Sequence, residues 1–247
     1  MLRISPTPLA KVRIFRISEG KVACQSGPSG GIILSTVLFR AATKQRTCAL
    51  SDTLSARVLL GDQAGMDEDQ FWNIIDNSRN VAALVTRDSG TDFIQVHEQS
   101  LDDLLRQLSP TQIVEFEVQF TKLFFKAYRW DLWAAAYWLF GGCSDDGFMD
   151  FRSCLISLGK DLYYQVLDDP DVLADIVDAT NVPYMQAEGF QHVASRVYRE
   201  ITDEDLSDYE GVGDHPSKPE GESIDHDNVE LMRKRFPKLV NKYPDMG

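Results

Sequence analysis

The residues best suited to chemistry lie between Tyr128 and Arg152. The string Gly141-Gly142-Cys143-Ser144-Asp145-Asp146-Gly147-Phe148 sets two adjacent carboxylates beside a thiol. Tyr128, Arg129 and Asp131 precede it, and Arg152 follows it. Paired carboxylates in a pocket can bind a hard cation through oxygen, or supply a general base if burial raises one pKa. The same residues also have a structural use. Acids at the start of a helix satisfy free N–H groups and the positive end of the helix dipole. Arg152 would then pair internally with Asp145, Asp146 or Asp131. The structural use is the expected one, so these six residues are a candidate ligand site or polar network and no catalytic residue is assigned.

Other chemistries fit less well. Asp145-Asp146 lacks the alternating oxygen ligands and closing Glu of an EF-hand. Cys143 and Cys154 form no Cys-x-x-Cys pair and have no His close in sequence, so zinc is not expected. A helix N-terminus can lower a thiol pKa and make Cys143 a nucleophile, but a small buried residue is the commoner outcome. His97, His192, His215 and His226 are scattered; the last two fall in an acidic stretch and should be solvated. No P-loop, dinucleotide fingerprint or Gly-x-Ser-x-Gly elbow occurs. Neither a cofactor nor a metal is expected. Trp72, Trp130, Trp133 and Trp138 read as core rather than as a cofactor cage.

The elements that must position these residues are helical. Asp67 or Asp69 can cap a helix through Phe71, Trp72, Ile74 and Ile75, weakened at Ser78-Arg79-Asn80. Leu101, Leu104, Leu105 and Leu108 predict a second helix within 92–108. Ser109-Pro110-Thr111-Gln112 is a capping box with proline at the first helical position. After it, Ile113, Phe116, Phe120, Leu123, Phe124 and Ala127 share one face. Leu132–Phe140 is apolar all round, too short to span a bilayer, and so belongs at the centre of a bundle. Gly141-Gly142 ends it. Phe148, Phe151, Leu155 and Leu158 continue at helical spacing, and Gly159 interrupts. Helices are also expected within 160–167, after Asp169-Pro170, within 188–201 with Ile201 facing inward, and within 227–236 with Pro237 as the stop. Val81–Thr86 is the best strand candidate, and it is short. The fold class is all-α: a single multi-helix globular domain behind a disordered N-terminal extension.

Charge divides the chain. Its 247 residues carry a net charge of -13. Residues 1–65 hold nine Lys/Arg and three acids, a net +6, which leaves −19 for the rest. The basic, Ser-rich segment fits a targeting peptide, a secretory signal less well, or upstream sequence translated ahead of a start at Met66. Apolar residues make up 43%, enough for a sizeable core, so wholesale disorder is excluded. The acidic balance argues against nucleic acid as partner, and no apolar run is long enough for a membrane. Residues 203–227 hold ten acids and one basic residue, Lys218, with Gly and Pro that predict a solvated loop.

Ala127-Tyr128-Arg129-Trp130-Asp131-Leu132-Trp133-Ala134-Ala135-Ala136-Tyr137, the Gly141–Phe148 string and Phe151-Arg152 together resemble a bacterial family, the domain-of-unknown-function family 4240. Met66-Asp67-Glu68-Asp69-Gln70-Phe71-Trp72 is similar to that family's opening. The resemblance runs from Met66 to about Asp203, with an echo near 232–237. It implies a cytoplasmic bacterial setting and supplies no reaction. The expected organisation is an extension over 1–65, a helical domain over 66–203, and an acidic loop with a C-terminal helix over 204–247. Two functions compete. One is an acidic protein that binds a macromolecule, with a basic protein as the partner its charge would steer. The other is a small-molecule or metal-dependent enzyme centred on Asp145 and Asp146.

Overall fold

Capping sets the first helices. In the computed structural model, which describes residues 65–87, 92–177, 185, 188–206 and 215–244, Asp67 accepts the Gln70 N–H at 2.8 Å while Gln70 Oε1 accepts the Asp67 N–H at 2.9 Å. That reciprocal box starts α1, Glu68–Thr86. Asp92 starts α2, Phe93–Leu105. The predicted box at Ser109 and Gln112 starts α3, Pro110–Lys126, whose six predicted apolar positions are all buried with Ala127 at its end. Residues 1–64 of the expected 1–65 extension, and 207–214 of the acidic loop, lie outside the described residues.

Helix α4, Trp130–Phe140, is the centre. Leu132, Ala134, Ala135, Ala136, Trp138 and Leu139 are buried, and Trp133, Tyr137 and Phe140 are half-buried. Gly141 closes it in the left-handed region at φ 64. Next come α5, Asp145–Ser157, and α6, Lys160–Asp168. Between them Gly159 holds φ +91, and a Cβ there would lie 2.3 Å from Asp76 Oδ1, so the turn passes directly against α1. A 3-10 turn, 170–172, leads into α7, Leu173–Ile176. A second, 190–192, leads into α8, Val193–Thr202. Last are α9, Val229–Arg235, and α10, Pro237–Lys242. The described residues hold ten α-helices and no strand; Arg129 and Glu220 form one isolated bridge. The fold is all-helical, and no described helix is long and apolar enough to cross a membrane.

Two expectations need correction, and two gain detail. Val81–Thr86, the best strand candidate in a chain read as all-α, forms the last turns of α1, with Val81 and Ala82 buried. Ser78 does not weaken that helix. Its hydroxyl donates to the Ile75 carbonyl at 2.8 Å and meets His97 Nε2 at 2.9 Å, so α1 gains a cross-link to α2. Ile201 is 43% exposed because the inward face of α8 ends at Tyr198. Pro237 ends α9 and also begins α10, where its missing N–H costs nothing.

The C-terminal helices are fastened to the rest by polar contacts in a mostly apolar interface. Asp171, 5% exposed, accepts the backbone N–H groups of Lys238 at 3.0 Å and Leu239 at 2.9 Å. Lys242 Nζ donates to the carbonyls of Ala174 and Val177, closing the end of α7. Trp138 Nε1 donates to the Tyr243 carbonyl at 3.0 Å. Met232, Phe236, Leu239 and Val240 are buried beneath.

Two ionisable groups, one buried and one half-buried, give stability opposite pH slopes. Burial first, then Arg79, lowers His97 to about 4. Its unfolded value is near 6.5, so its contribution is whole above that pH and is lost as pH falls toward 4. Burial raises Glu117, half-buried on α3, to about 7 from 4.5, so its contribution is whole below 4.5 and is lost as pH rises through 7. Urea unfolding across pH should therefore separate them. His97→Gln should flatten the acid limb by up to about 3 kcal/mol. Glu117→Gln should stabilise at pH above 7 by about 1 kcal/mol, reduced from full linkage by partial solvation, and should be neutral below pH 4.5.

Candidate functional site

The six sequence-selected residues separate into three local arrangements. Asp145 and Asp146 occupy the first turn of α5 and are exposed. Ser144 is the cap, its Oγ accepting the Gly147 N–H at 3.2 Å. The two acids therefore act on the helix dipole from solvent rather than as the cap itself. Among the described residues no group of three or more His, Cys, Asp or Glu side chains is placed to hold a metal ion.

Arg129 and Asp131 form a clip. Nε and Nη2 of Arg129 reach the two oxygens of Asp131 at 3.0 and 2.5 Å, a bidentate pair. Nη1 donates to the Leu167 carbonyl at 2.8 Å near the end of α6. Asp131 Oδ1 also accepts the Leu132 N–H. Both side chains are thereby committed to joining the start of α4 to α6.

Arg152 does not pair with Asp131, Asp145 or Asp146, which corrects the expectation. It is 1% exposed, and among the described residues no carboxylate lies within ion-pair distance of its guanidinium. Nε donates to the Phe148 carbonyl at 3.3 Å and Nη1 to the Phe124 carbonyl at 3.2 Å. The guanidinium carbon stands 3.9 Å from the Phe124 ring centre, 4.6 Å from Tyr128 and 5.1 Å from Phe148. Rings and carbonyls replace the carboxylate: the π faces and the carbonyl dipoles both present negative potential to the cation. Burial lowers the guanidinium to about 10, with Tyr128 opposing. It is still a cation at neutral pH.

His215 completes that cage and was missed in the sequence. Both terminal nitrogens of Arg152 lie 3.4 Å from its Nε2. Nδ1 meets the Pro216 carbonyl at 2.8 Å, so Nδ1 is the donor and Nε2 presents its lone pair to the guanidinium. Its ring sits edge-on to Tyr128 at 4.6 Å and to Phe125 at 5.2 Å. His215 itself stays exposed, as expected, whereas His226 is half-buried, with its ring centre 3.8 Å from that of Tyr137. No local pattern announces either contact. The loop carrying both is set in place by Glu220, whose N–H donates to the Tyr128 carbonyl at 2.8 Å and whose carbonyl accepts the Trp130 N–H at 3.0 Å.

Beside the cage the rings of Trp130, Trp133 and Phe148 stack in series, at 5.5 and 4.8 Å. Trp130, Trp133, Tyr137, Cys143, Ile224 and His226 line a slot of about 120 Å³. Burial first, then Asp150 and Asp145, pushes the Cys143 thiol up to about 12. A thiol so raised is protonated at neutral pH, and the arrangement gives no support to a nucleophile.

The α5 surface gathers acid instead. Asp145, Asp146 and Asp150 lie along it, and Met149 stands 37% exposed among them. Burial raises the Asp150 carboxyl, and Glu188 and Asp146 raise it further, with His192 opposing. Asp150 and Glu188 fall outside the group selected from sequence. Glu188 joins the face only because the 190–192 turn packs on α5, where the Gln191 amide donates to Asp150 at 3.2 Å.

A family model described as a protein of unknown function, DUF4240, matches residues 66–200. Neither a curated protein nor a solved structure matches the chain.

The arrangement separates a buried cation from solvent-facing acids, and substitutions should register the difference. In urea unfolding, Arg152→Lys should cost about 2 kcal/mol, because an ammonium cannot stack on three rings and reach two carbonyls together. Asp145→Asn and Asp146→Asn should each stay within about 0.5 kcal/mol.

Proposed function

The chain belongs to the DUF4240 family, and because that description names no activity we propose a function from the geometry: a macromolecule-binding protein whose α5 face takes a basic segment of another protein. One observation carries this reading. Like charges on Asp145, Asp146, Asp150 and Glu188 surround an exposed methionine, and they are close enough for Glu188 and Asp146 to raise the Asp150 carboxyl beyond what burial does. Such a face attracts Lys and Arg at long range. A thioether at its centre adds adaptable apolar contact once the partner has docked. The whole-chain charge of -13 points the same way and disfavours nucleic acid as the partner.

The enzyme reading centred on Asp145 and Asp146 is less well supported. Both carboxylates are exposed, and Arg152 lies in a different arrangement. The setting that accompanies our reading is a bacterial cytosol. Cys143 and Cys154 are in no disulfide, which suits a reducing compartment.

Binding of the full chain to an arginine-rich peptide tests this reading. Affinity should fall steeply with salt, and Asp145→Asn with Asp146→Asn and Glu188→Gln should weaken it about tenfold at low salt, mainly through the association rate. Equal affinity of the triple variant, with unchanged salt dependence, contradicts it.

A further inference from the structure

On another part of the molecule α1, α2, the turn between α5 and α6, and α7 enclose a cleft of about 400 Å³. Its walls are mostly apolar: Phe93 and Ile94 from α2, Leu158 and Leu162 on either side of Gly159, and Ile176 from α7. That volume is in the range of small-molecule sites, which combine an apolar lining with few polar groups. Gly159 helps to form it, because only a residue without Cβ lets the turn lie against Asp76 and bring Leu158 and Leu162 to the same side of the cavity.

The polar groups at the cleft differ in how far they are already used. The Ser157 hydroxyl donates to the Cys154 carbonyl at 2.8 Å. Asp175 pairs with Lys238 at 2.9 Å. Arg79 is different. It is half-buried, it lines the cleft, and among the described residues no carboxylate lies within ion-pair distance of its guanidinium. Its field nevertheless reaches inward: it opposes the burial that raises Asp76 and adds to the burial that lowers His97. His97 stands one helical turn from Phe93, with ring centres 5.7 Å apart, and its Nδ1 is buried without a hydrogen-bond partner. The inner end of the cleft therefore holds a guanidinium that no described carboxylate meets at ion-pair distance, with Asp76 close by, in a chain that is acidic as a whole.

We infer that this cleft is a binding site for a small apolar carboxylate. The apolar body lies against Phe93, Ile94, Leu158 and Leu162, and the carboxylate takes the planar fork of Arg79. A guanidinium binds a carboxylate through two parallel N–H donors, and a low-dielectric wall on either side strengthens that pair. An apolar ligand without charge would leave the Arg79 donors unmet. A dianion would meet the surrounding carboxylates, Asp76 and Asp175 among them, with an uncompensated second charge. The site is independent of the α5 face.

Octanoate and its neutral isostere octanamide are the probes, titrated into the full chain by calorimetry and followed by amide chemical shifts. Octanoate should bind and should shift the amides of Phe93, Ile94 and Leu158. Octanamide should bind about tenfold more weakly. Arg79→Gln should bring octanoate down to the octanamide level and leave octanamide unchanged. Leu162→Trp, which fills the cleft and keeps the cation, should abolish both. If octanoate and octanamide bind equally, if octanoate does not bind the unmodified chain, or if the shifted amides lie elsewhere, the inference is overturned. Should Arg79→Gln not fold, the octanoate-to-octanamide ratio and the Leu162→Trp result decide it alone.

Discussion

Helix α4 has no polar face to offer water, and much of the fold follows from that constraint. Eleven residues, Trp130–Phe140, carry one charge, Asp131, and that charge is spent on Arg129. An amphipathic helix needs cover on one side, whereas this one needs it all round. Helix α5, the 170–172 turn and α10 all pack on it, and the loop through Glu220 is bridged to its first turn. Two of the covering pieces, α10 and that loop, come from beyond residue 200, where the family match ends. They are nonetheless part of one core. The indole N–H of Trp138 finds its acceptor at Tyr243, and Asp171 spends both carboxylate oxygens on the start of α10.

The helices themselves were legible because their signals are local. A capping box, a proline at the first turn and apolar positions at spacings of three and four need only neighbouring residues, and Ser109–Ala127 follows them throughout. The apolar run Leu132–Phe140 announced its own burial. Local signals also misled. Ser78 disfavours a helix in isolation, but here its hydroxyl cross-links to a histidine that only the α1–α2 pairing brings near. Val81–Thr86 shows β-branched residues at both ends, yet the preceding turns carry the helix through them.

The candidate site was legible in composition but not in arrangement. Tyr128 and Arg152 do meet, as residues grouped on chemistry alone, but the cation was assigned an acid and received rings. Charge complementarity is the default guess when a sequence holds Asp and Arg close together. Nothing in the spacing says that Phe124, Tyr128 and Phe148 point at one atom, nor that His215 closes over it from a distant loop. The acids freed from that role stay on the surface, where Met149 and Glu188 join them. The mostly apolar cleft at Arg79 lay outside the sequence selection altogether, since its residues come from separate elements that contribute mainly hydrocarbon.

If α4 and α10 belong to a single core, then their backbones open together. Native-state hydrogen exchange on the full chain measures this directly. The amides of Ala136, Leu139, Leu239 and Val240 should exchange only through global unfolding, with one shared free energy that falls equally with denaturant. Exchange of Leu239 and Val240 through a separate, lower-energy opening, with Ala136 and Leu139 still protected, would contradict the account.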